Sequence, residues 1–448
     1  MINFRVIGII FLPIIILFVI YIYLELPDNN LFLFTNFLII LSSLYGMLIR
    51  PSQLYSLSQV VFIFIFVFFG LVPLINELDG NIIKGDEFNI FDKSKANLII
   101  LTGIVVFFFS NKIKINFFDR FINSLRDIKK LNISFFFIFF LIIFIIFYKY
   151  NFNYSSIFFR ETKDVFDSTM QYLIYTKFLL PMPIILSIIF YYIYSKNREL
   201  MNRNKKLNNI VLLWFLIIFS IMTVPPTGIP RFQAATIYIP FIIIFTKIWE
   251  KPFMFQATFL VGIIIILPFL DNFRRSRAGI QDLVFQIDLN FLKSGNFDSY
   301  QNFVRLIELD IISYGNQLMG SLLFFVPRSI WEGKAIGSGT FIADKLSYDY
   351  YNISMPFIAE GYINFGLFGS ILFMFLLGII LGNFDRVAWQ LKRSNKDCLF
   401  LYYYYFLFGL VFFLMRGDLI NAIAFISGMT AAFWLLVIIL RFTSRLKI

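Results

Sequence analysis

Residues 399–440 read LFLYYYYFLFGLVFFLM, then Arg416-Gly417-Asp418, then LINAIAFISGMTAAFWLLVIIL. Two apolar runs, each near the roughly 20 residues a helix needs to cross a bilayer core of about 30 Å, are joined by a polar tripeptide. A connection that short leaves room only for two antiparallel spans turning at one membrane face. Every backbone N–H and C=O in lipid must be satisfied within its own segment, so the runs read as helices.

The same pattern recurs outward from this pair. Further apolar runs are Val6–Leu24, Leu31–Ile49, Leu54–Ile75, Ala96–Ser110, Ile133–Tyr148, Phe178–Tyr194, Ile210–Val224, Phe232–Thr246, Phe253–Leu270 and Tyr362–Gly382. The expected fold is all-α, a polytopic membrane protein of about twelve spans. Composition agrees, since 15% charged residues is too few to cover a soluble surface, which carries about 25%. The first run is too long for a signal-peptide core and lacks a small-residue cleavage site before Glu25, so it reads as an uncleaved span. Pro13, Pro181, Pro183 and Pro240 fall inside spans and predict kinks.

The formal charge of +12 would suit a nucleic-acid partner, but its distribution points to a bilayer instead. Lys and Arg concentrate in alternate segments: Arg5, Arg50, 112–130, 196–206, 247–251, 386–396 and the residues after 440. This positive-inside pattern places both termini in the cytoplasm. The basic stretch 112–130, with Phe117, Phe118 and Phe121, reads as a surface helix against acidic lipid. Nine spans then lie in 1–270 and three in 362–448, with a large extracytoplasmic loop over 271–361. That loop contains Leu283–Leu292 and an amphipathic stretch, Tyr300–Ser313, with Phe303, Leu306, Ile307 and Ile311 on one helical face. An apolar run, Leu322–Val326, ends at Pro327. The loop is expected to be folded and to lie on the membrane surface as a cap.

The chain has no histidine and one cysteine, Cys398. Histidine-ligated zinc, Ser-His-Asp triads, a histidine base, a cysteine metal site and an internal disulfide are all excluded. No cofactor is expected. Glu25-Leu26-Pro27-Asp28 offers an acidic first-loop motif for a metal-dependent lipid-sugar transferase, but its loop is only a few residues long.

Cations gather at the outer span ends. Arg231 closes Pro225-Pro226-Thr227-Gly228-Ile229-Pro230; Arg274, Arg275 and Arg277 follow a span; Arg328 and Lys334 lie in the large loop; Arg416 sits in the tripeptide turn. Guanidinium is permanently charged and matches phosphate oxygens in bidentate fashion. Either these groups converge on an anionic lipid headgroup, most simply a diphosphate, or each pairs with a nearby carboxylate. In Asn352-Ile353-Ser354-Met355-Pro356, Ser354 is a good N-cap and Pro356 suits a first turn, so a helix should start here and run inward with its positive end facing out. Glu360 and Asn364 lie one turn apart on that helix. In the absence of histidine, Glu360 is the candidate to deprotonate a sugar hydroxyl, or else the partner of one of the arginines.

Three stretches, Val326–Gly337, Asn352–Gly366 and Arg416–Leu419, together with the Gly228–Phe232 turn, resemble the Wzy-type oligosaccharide repeat-unit polymerases of bacterial surface polysaccharides (O-antigen and capsule). The resemblance covers about residues 220–430; the first half matches only in hydropathy. It implies a metal-independent glycosyltransferase of the GT-C type in the inner membrane. Such an enzyme joins oligosaccharide units carried on undecaprenyl diphosphate at the extracytoplasmic face, in some systems with a chain-length regulator. Carried over, Arg231, Arg328 and Arg416 match the outer-loop arginines, with Arg274, Arg275 and Lys334 beside them. A lipid-linked oligosaccharide flippase shares the span number but generally lacks so long an outer loop. O-antigen ligases share architecture and donor but are associated with a loop histidine, and membrane O-acyltransferases also use histidine.

Overall fold

The computed structural model describes residues 30–48, 53–116, 128, 132–158, 169–266, 268 and 289–444. The first apolar run, the acidic motif at 25–28, most of the basic stretch 112–130, residues 283–288 of the large loop, Arg274, Arg275 and Arg277 lie outside them. Every regular element among the described residues is helical. Among the described residues eight helices are long and apolar enough to cross a membrane: α1 Leu31–Leu48, α2 Leu57–Leu78, α3 Ile90–Ser110, α5 Met170–Leu200, α6 Arg203–Thr223, α12 Phe357–Arg393, α13 Leu399–Arg416 and α14 Leu419–Thr443. Three shorter apolar helices accompany them, namely α4 Ile133–Lys149, α7 Arg231–Thr246 and α8 Met254–Ile266. The large loop adds α9 Ser299–Glu308, α10 Asn316–Leu322 and α11 Ser338–Lys345.

Pro183 falls in the first turn that follows a π-helical segment of α5, Ile174–Leu179, and Pro240 sits inside α7. Many exposed large side chains are apolar, such as Phe137, Phe144, Trp214 and Ile218 on α4 and α6. Apolar surface of that kind is what lipid solvates and water does not.

At one end of the bundle the large loop meets the 79–93 segment and the start of α3. Tyr300 donates to the Lys93 carbonyl at 3.1 Å and to Asn97 at 2.9 Å, and Lys293 pairs with Asp79. The amphipathic stretch expected in a cap at the membrane surface is enclosed by protein. Every residue from Ser299 to Ile307 is buried, Gln301, Asn302 and Arg305 included. Phe297 stacks on Phe68 of α2 at 5.0 Å, so the loop descends among the spans. The polar face of α9 is spent on partners: Gln301 receives the Ile83 amide, Asn302 donates to the Ser354 carbonyl, and Arg305 binds Glu308 and the Asp86 carbonyl. The apolar run at Leu322–Val326 is not a further helix; α10 ends at Leu322, and Leu322 and Phe325 are exposed.

The start of α12 is corrected too. Pro356, not Ser354, holds the N-cap position, and the helix breaks at Phe365 and Gly366, where Gly366 has φ 62° and ψ −148°. Only glycine adopts that region readily. The break reverses the chain. Gly361 and Gly369 meet backbone to backbone, so a Cβ on Gly361 would stand 2.5 Å from the Gly369 carbonyl. Ser370 donates to the Ile358 carbonyl at 2.9 Å, and Phe357 packs on Phe373. The short arm, 357–364, therefore folds back along the long arm, 367–393, and its positive end points into the bundle beside Gly103 of α3 rather than outward.

The long arm packs closely against α3, where Cβ atoms on Gly378 and Gly382 would strike Ser110 Oγ and the Asn111 carbonyl. At its far end Asp385, fully buried, accepts from the Leu57 amide (2.7 Å), the Ser58 amide (3.0 Å), the Ser58 hydroxyl (2.5 Å) and the Tyr404 hydroxyl (2.6 Å). Ser56 Oγ takes the Gln59 amide, so the orphan donors of the first turn of α2 are satisfied inside the protein. Asp385→Ala would leave two amides and a phenol buried without acceptors. A loss of at least about 3 kcal/mol is expected, read as a lower thermal midpoint of the purified chain, whereas Asp385→Asn should lose less.

Candidate functional site

Beside the descending loop, two of the sequence-selected arginines come together. Arg231, the first residue of α7, donates through Nη2 to Asn296 Oδ1 at 2.9 Å. Arg416, the last residue of α13, donates through Nε to the backbone carbonyl of the same Asn296 at 3.0 Å. Two helix ends far apart in sequence thus grip one loop residue. Arg416 also lies 3.7 Å from Asp298 Oδ1, and its guanidinium sits 4.8 Å over the Phe232 ring.

Asp298 is the second anchor. It accepts from the Ser354 amide at 3.1 Å and the Ser354 hydroxyl at 2.5 Å, and Ser299 Oγ lies 2.9 Å from the same hydroxyl. Ser354 therefore serves Asp298 instead of capping α12, because its neighbours Met355 and Pro356 are still in extended chain. Tyr350 approaches this region as well. Its hydroxyl would stand 3.4 Å from a Cβ on Gly295, and burial, with the Asp298 charge, pushes its phenol above the ordinary range. Asn352 is exposed on the strand-like stretch between them.

Arg328 and Lys334 do not join this cluster by any ion pair or hydrogen bond among the described residues. Arg328 donates to the carbonyls of Lys334 (2.6 Å) and Ala335 (3.1 Å), while Lys334 donates to those of Phe324 (2.6 Å) and Val326 (2.9 Å). The two cations knot their own loop, and the Lys334 ammonium is lowered by burial and then by the neighbouring Arg328 charge. The knot has a purpose close by. It leads into Gly337, which is packed so tightly on Asp418 that a Cβ would fall 2.3 Å from Oδ2, and into Ser338.

Ser338 Oγ donates to Glu360 Oε2 at 2.7 Å, and the Leu419 amide donates to Glu360 Oε1 at 2.8 Å. Glu360 is fully buried with both oxygens engaged. This placement argues against it as the acceptor base; the carboxyl group braces the N-terminus of α14, whose third amide, Asn421, is taken by Asp418 Oδ1 at 3.0 Å. Asn364, also buried, donates to the Glu360 carbonyl and accepts the Leu318 amide, tying α10 to the short arm. Glu360 and Asn364 share a face as the spacing required, but as scaffold.

One charged residue near the cluster escaped the sequence reading. Lys177 lies in the π-helical segment of α5, is 6% exposed, and sets its ammonium 3.2 Å from the centroid of the Phe425 ring. A lone lysine near the edge of an apolar run was the available signal; the run's boundary at Phe178 placed it just outside. Asp418, between α13 and α14, is raised above the usual carboxylate range by burial, offset by the Asn421 bonds and the Lys177 charge.

Among the described residues no three Asp, Glu or Cys side chains come together as a metal-binding group. The chain matches no family model, no curated protein and no solved structure.

If Glu360 is a brace, Glu360→Gln, which keeps an acceptor for Leu419 and a partner for Ser338, should keep most of the stability of the chain, whereas Glu360→Ala should lose about 2 kcal/mol or more. Thermal midpoints of the purified Gln and Ala variants check this. Arg328→Ala should cost about 1–2 kcal/mol of stability through the lost carbonyl bonds, with little change in the affinity for an anionic ligand.

Proposed function

We propose that this chain is a membrane glycosyltransferase that polymerises oligosaccharide repeat units carried on undecaprenyl diphosphate, without a metal, at the extracytoplasmic face of a bacterial cytoplasmic membrane. Under this reading the product is a surface polysaccharide such as O-antigen or capsule, both termini are cytoplasmic, and a chain-length regulator is an expected partner. The observation that carries the reading is the convergence of Arg231 and Arg416 on Asn296 of the large loop.

The chemistry follows from charge. Breaking the bond between the anomeric carbon and the diphosphate oxygen leaves negative charge on the leaving group. Guanidinium groups already held in place stabilise that charge as it develops, without reorganising at the moment of reaction. Arg231 opens α7, so the helix dipole adds a further positive contribution at the same spot. Asn296 supplies no charge; it fixes the two forks relative to one another, and Asp298 with Phe232 holds the Arg416 plane. The acceptor hydroxyl oxygen forms the new bond to the anomeric carbon as the bond to the diphosphate breaks, and its proton passes to the released diphosphate, so the acceptor needs only to be positioned. Arg231, Arg416 and Asn296 are the residues assigned to the leaving group, with Asp298 and Ser354 as their positioning pair.

The test is turnover of a defined undecaprenyl-diphosphate repeat unit by the purified chain in liposomes. A laddered glycan is the expected product, and its appearance in the presence of EDTA supports the metal-free route. Arg416→Ala should cut polymer formation by about a hundredfold or more, and Arg416→Lys should rescue poorly because a point charge replaces a planar fork. Movement of the unit across the bilayer with no new glycosidic bond would make the chain a flippase and overturn the proposal.

A further inference from the structure

A stretch of chain that is fixed through its backbone while its side chains stay free can meet a ligand without first being ordered. Residues 350–354 form such a stretch. The Tyr351 carbonyl accepts from the Thr340 hydroxyl at 3.3 Å, and the Ser354 carbonyl accepts from Asn302 at 2.7 Å. Gly339 of α11 lies flat on the Ile353 carbonyl, where a Cβ would clash. Ile353 and Ser354 are buried, but Tyr350 and Tyr351 remain 43% and 51% exposed, and Asn352 is exposed beside them. Among the described residues, neither the Tyr351 side chain nor the Asn352 carboxamide meets a partner.

Both ends of this stretch are moored to the neighbours of Asn296. At one end the Tyr350 hydroxyl reaches Gly295, where a Cβ would stand 3.4 Å from it. At the other end Ser354 grips Asp298 through its amide and its hydroxyl. Lys84 steadies the Tyr350 ring, its ammonium 4.4 Å from that centroid, 4.7 Å from the Tyr348 centroid and 3.3 Å from Asp349. The exposed side chains at 350–352 therefore run alongside the loop residue that Arg231 and Arg416 share, and Gly295, itself exposed, adds no side chain between them.

Resting on the function proposed above, we infer that Tyr351 and Asn352, with Tyr350 at their edge, bind the sugars of the lipid-linked unit while the arginine pair holds its diphosphate. A pyranose ring presents a face of C–H bonds, which carry partial positive charge, and a rim of hydroxyls. The negative face of a tyrosine ring suits the first. A carboxamide, donor and acceptor at once, suits two neighbouring hydroxyls of the second. The stretch carries no cation of its own, and Lys84 beside it is engaged with two rings and Asp349, so the ligand there is sugar and not a further phosphate.

The competing reading is that these tyrosines belong to the aromatic belt that anchors membrane proteins at headgroup level. Binding separates the two, because a belt serves every lipid alike. Undecaprenyl-diphosphate oligosaccharide extracted from cells that make this chain, and bare undecaprenyl diphosphate, are bound to the full chain in lipid nanodiscs and followed by native mass spectrometry. The wild-type chain should bind the sugar-bearing lipid about tenfold or more tightly than the bare one. The Tyr351→Ala/Asn352→Ala double variant changes exposed side chains only and should keep its thermal midpoint. It should bring the two affinities together and leave that for the bare lipid unaltered, and Asn352→Ala alone should lose part of the preference. An undiminished preference in the double variant would assign the tyrosines to the belt and overturn the inference while leaving the proposed function standing. Equal binding of the two lipids by the wild-type chain would do the same, as would a double variant weakened equally toward both, which would make the stretch a support for the arginines. A wild-type chain that binds neither lipid would bring down both.

Discussion

A helix that begins inside a protein or a bilayer leaves N–H groups that water cannot reach, and each must find an acceptor. In this chain α12 supplies acceptors at both of its ends. Glu360 on the short arm takes the first amide of α14, and Asp385 on the long arm takes the first two amides of α2. A carboxyl group is suited to the task, since its two oxygens can accept from several donors at once. The same helix is pressed against α3 through Gly378 and Gly382. Relative heights of α2, α3, α12 and α14 are thereby set by buried polar contacts, which are directional, and not by apolar packing alone, which lets helices slide.

The end that carries Arg231 and Arg416 inherits that rigidity. The Glu360 brace fixes the start of α14, and the turn 416–418 that precedes it carries Arg416 on one side and Asp418 on the other. Asp298 and Asn296 bring the large loop to Arg416, and Ser354 brings the chain just before α12 to Asp298. Each of these links is a side chain bound to backbone, or a charge with a counter-charge, in surroundings where a missing partner is expensive. The arginine pair is accordingly preorganised. Arg328 and Lys334 contribute one step removed, by knotting the loop that delivers Ser338 to Glu360.

The parts of this arrangement that follow from local chain physics were legible in the residues. Apolar runs became helices at nearly the expected bounds, as with Leu399–Arg416 and Leu419–Thr443, because lipid-exposed backbone has few other options. The reversal at Phe365-Gly366 was not visible, since an apolar run reads the same whether it continues or folds back; only the close meeting of Gly361 and Gly369 shows why those glycines stand there. The 299–308 helix had the right period, yet the period does not tell that its polar residues also face other protein. Hydrophobic period reports which residues prefer burial and cannot report which polar ones are offered a partner.

By itself the sequence determined that this is a chain of apolar helices with cations gathered at the ends of the runs and no histidine chemistry, because those follow from composition and spacing that any fold must respect. Only the tertiary structure decided that Arg231 and Arg416 share Asn296, that Arg328 and Lys334 serve their own loop, that Glu360 braces a helix and that Lys177 stands over the Phe425 ring. Those outcomes depend on which donors and acceptors meet at about 3 Å, a distance that residues scores of positions apart reach only after the chain has packed.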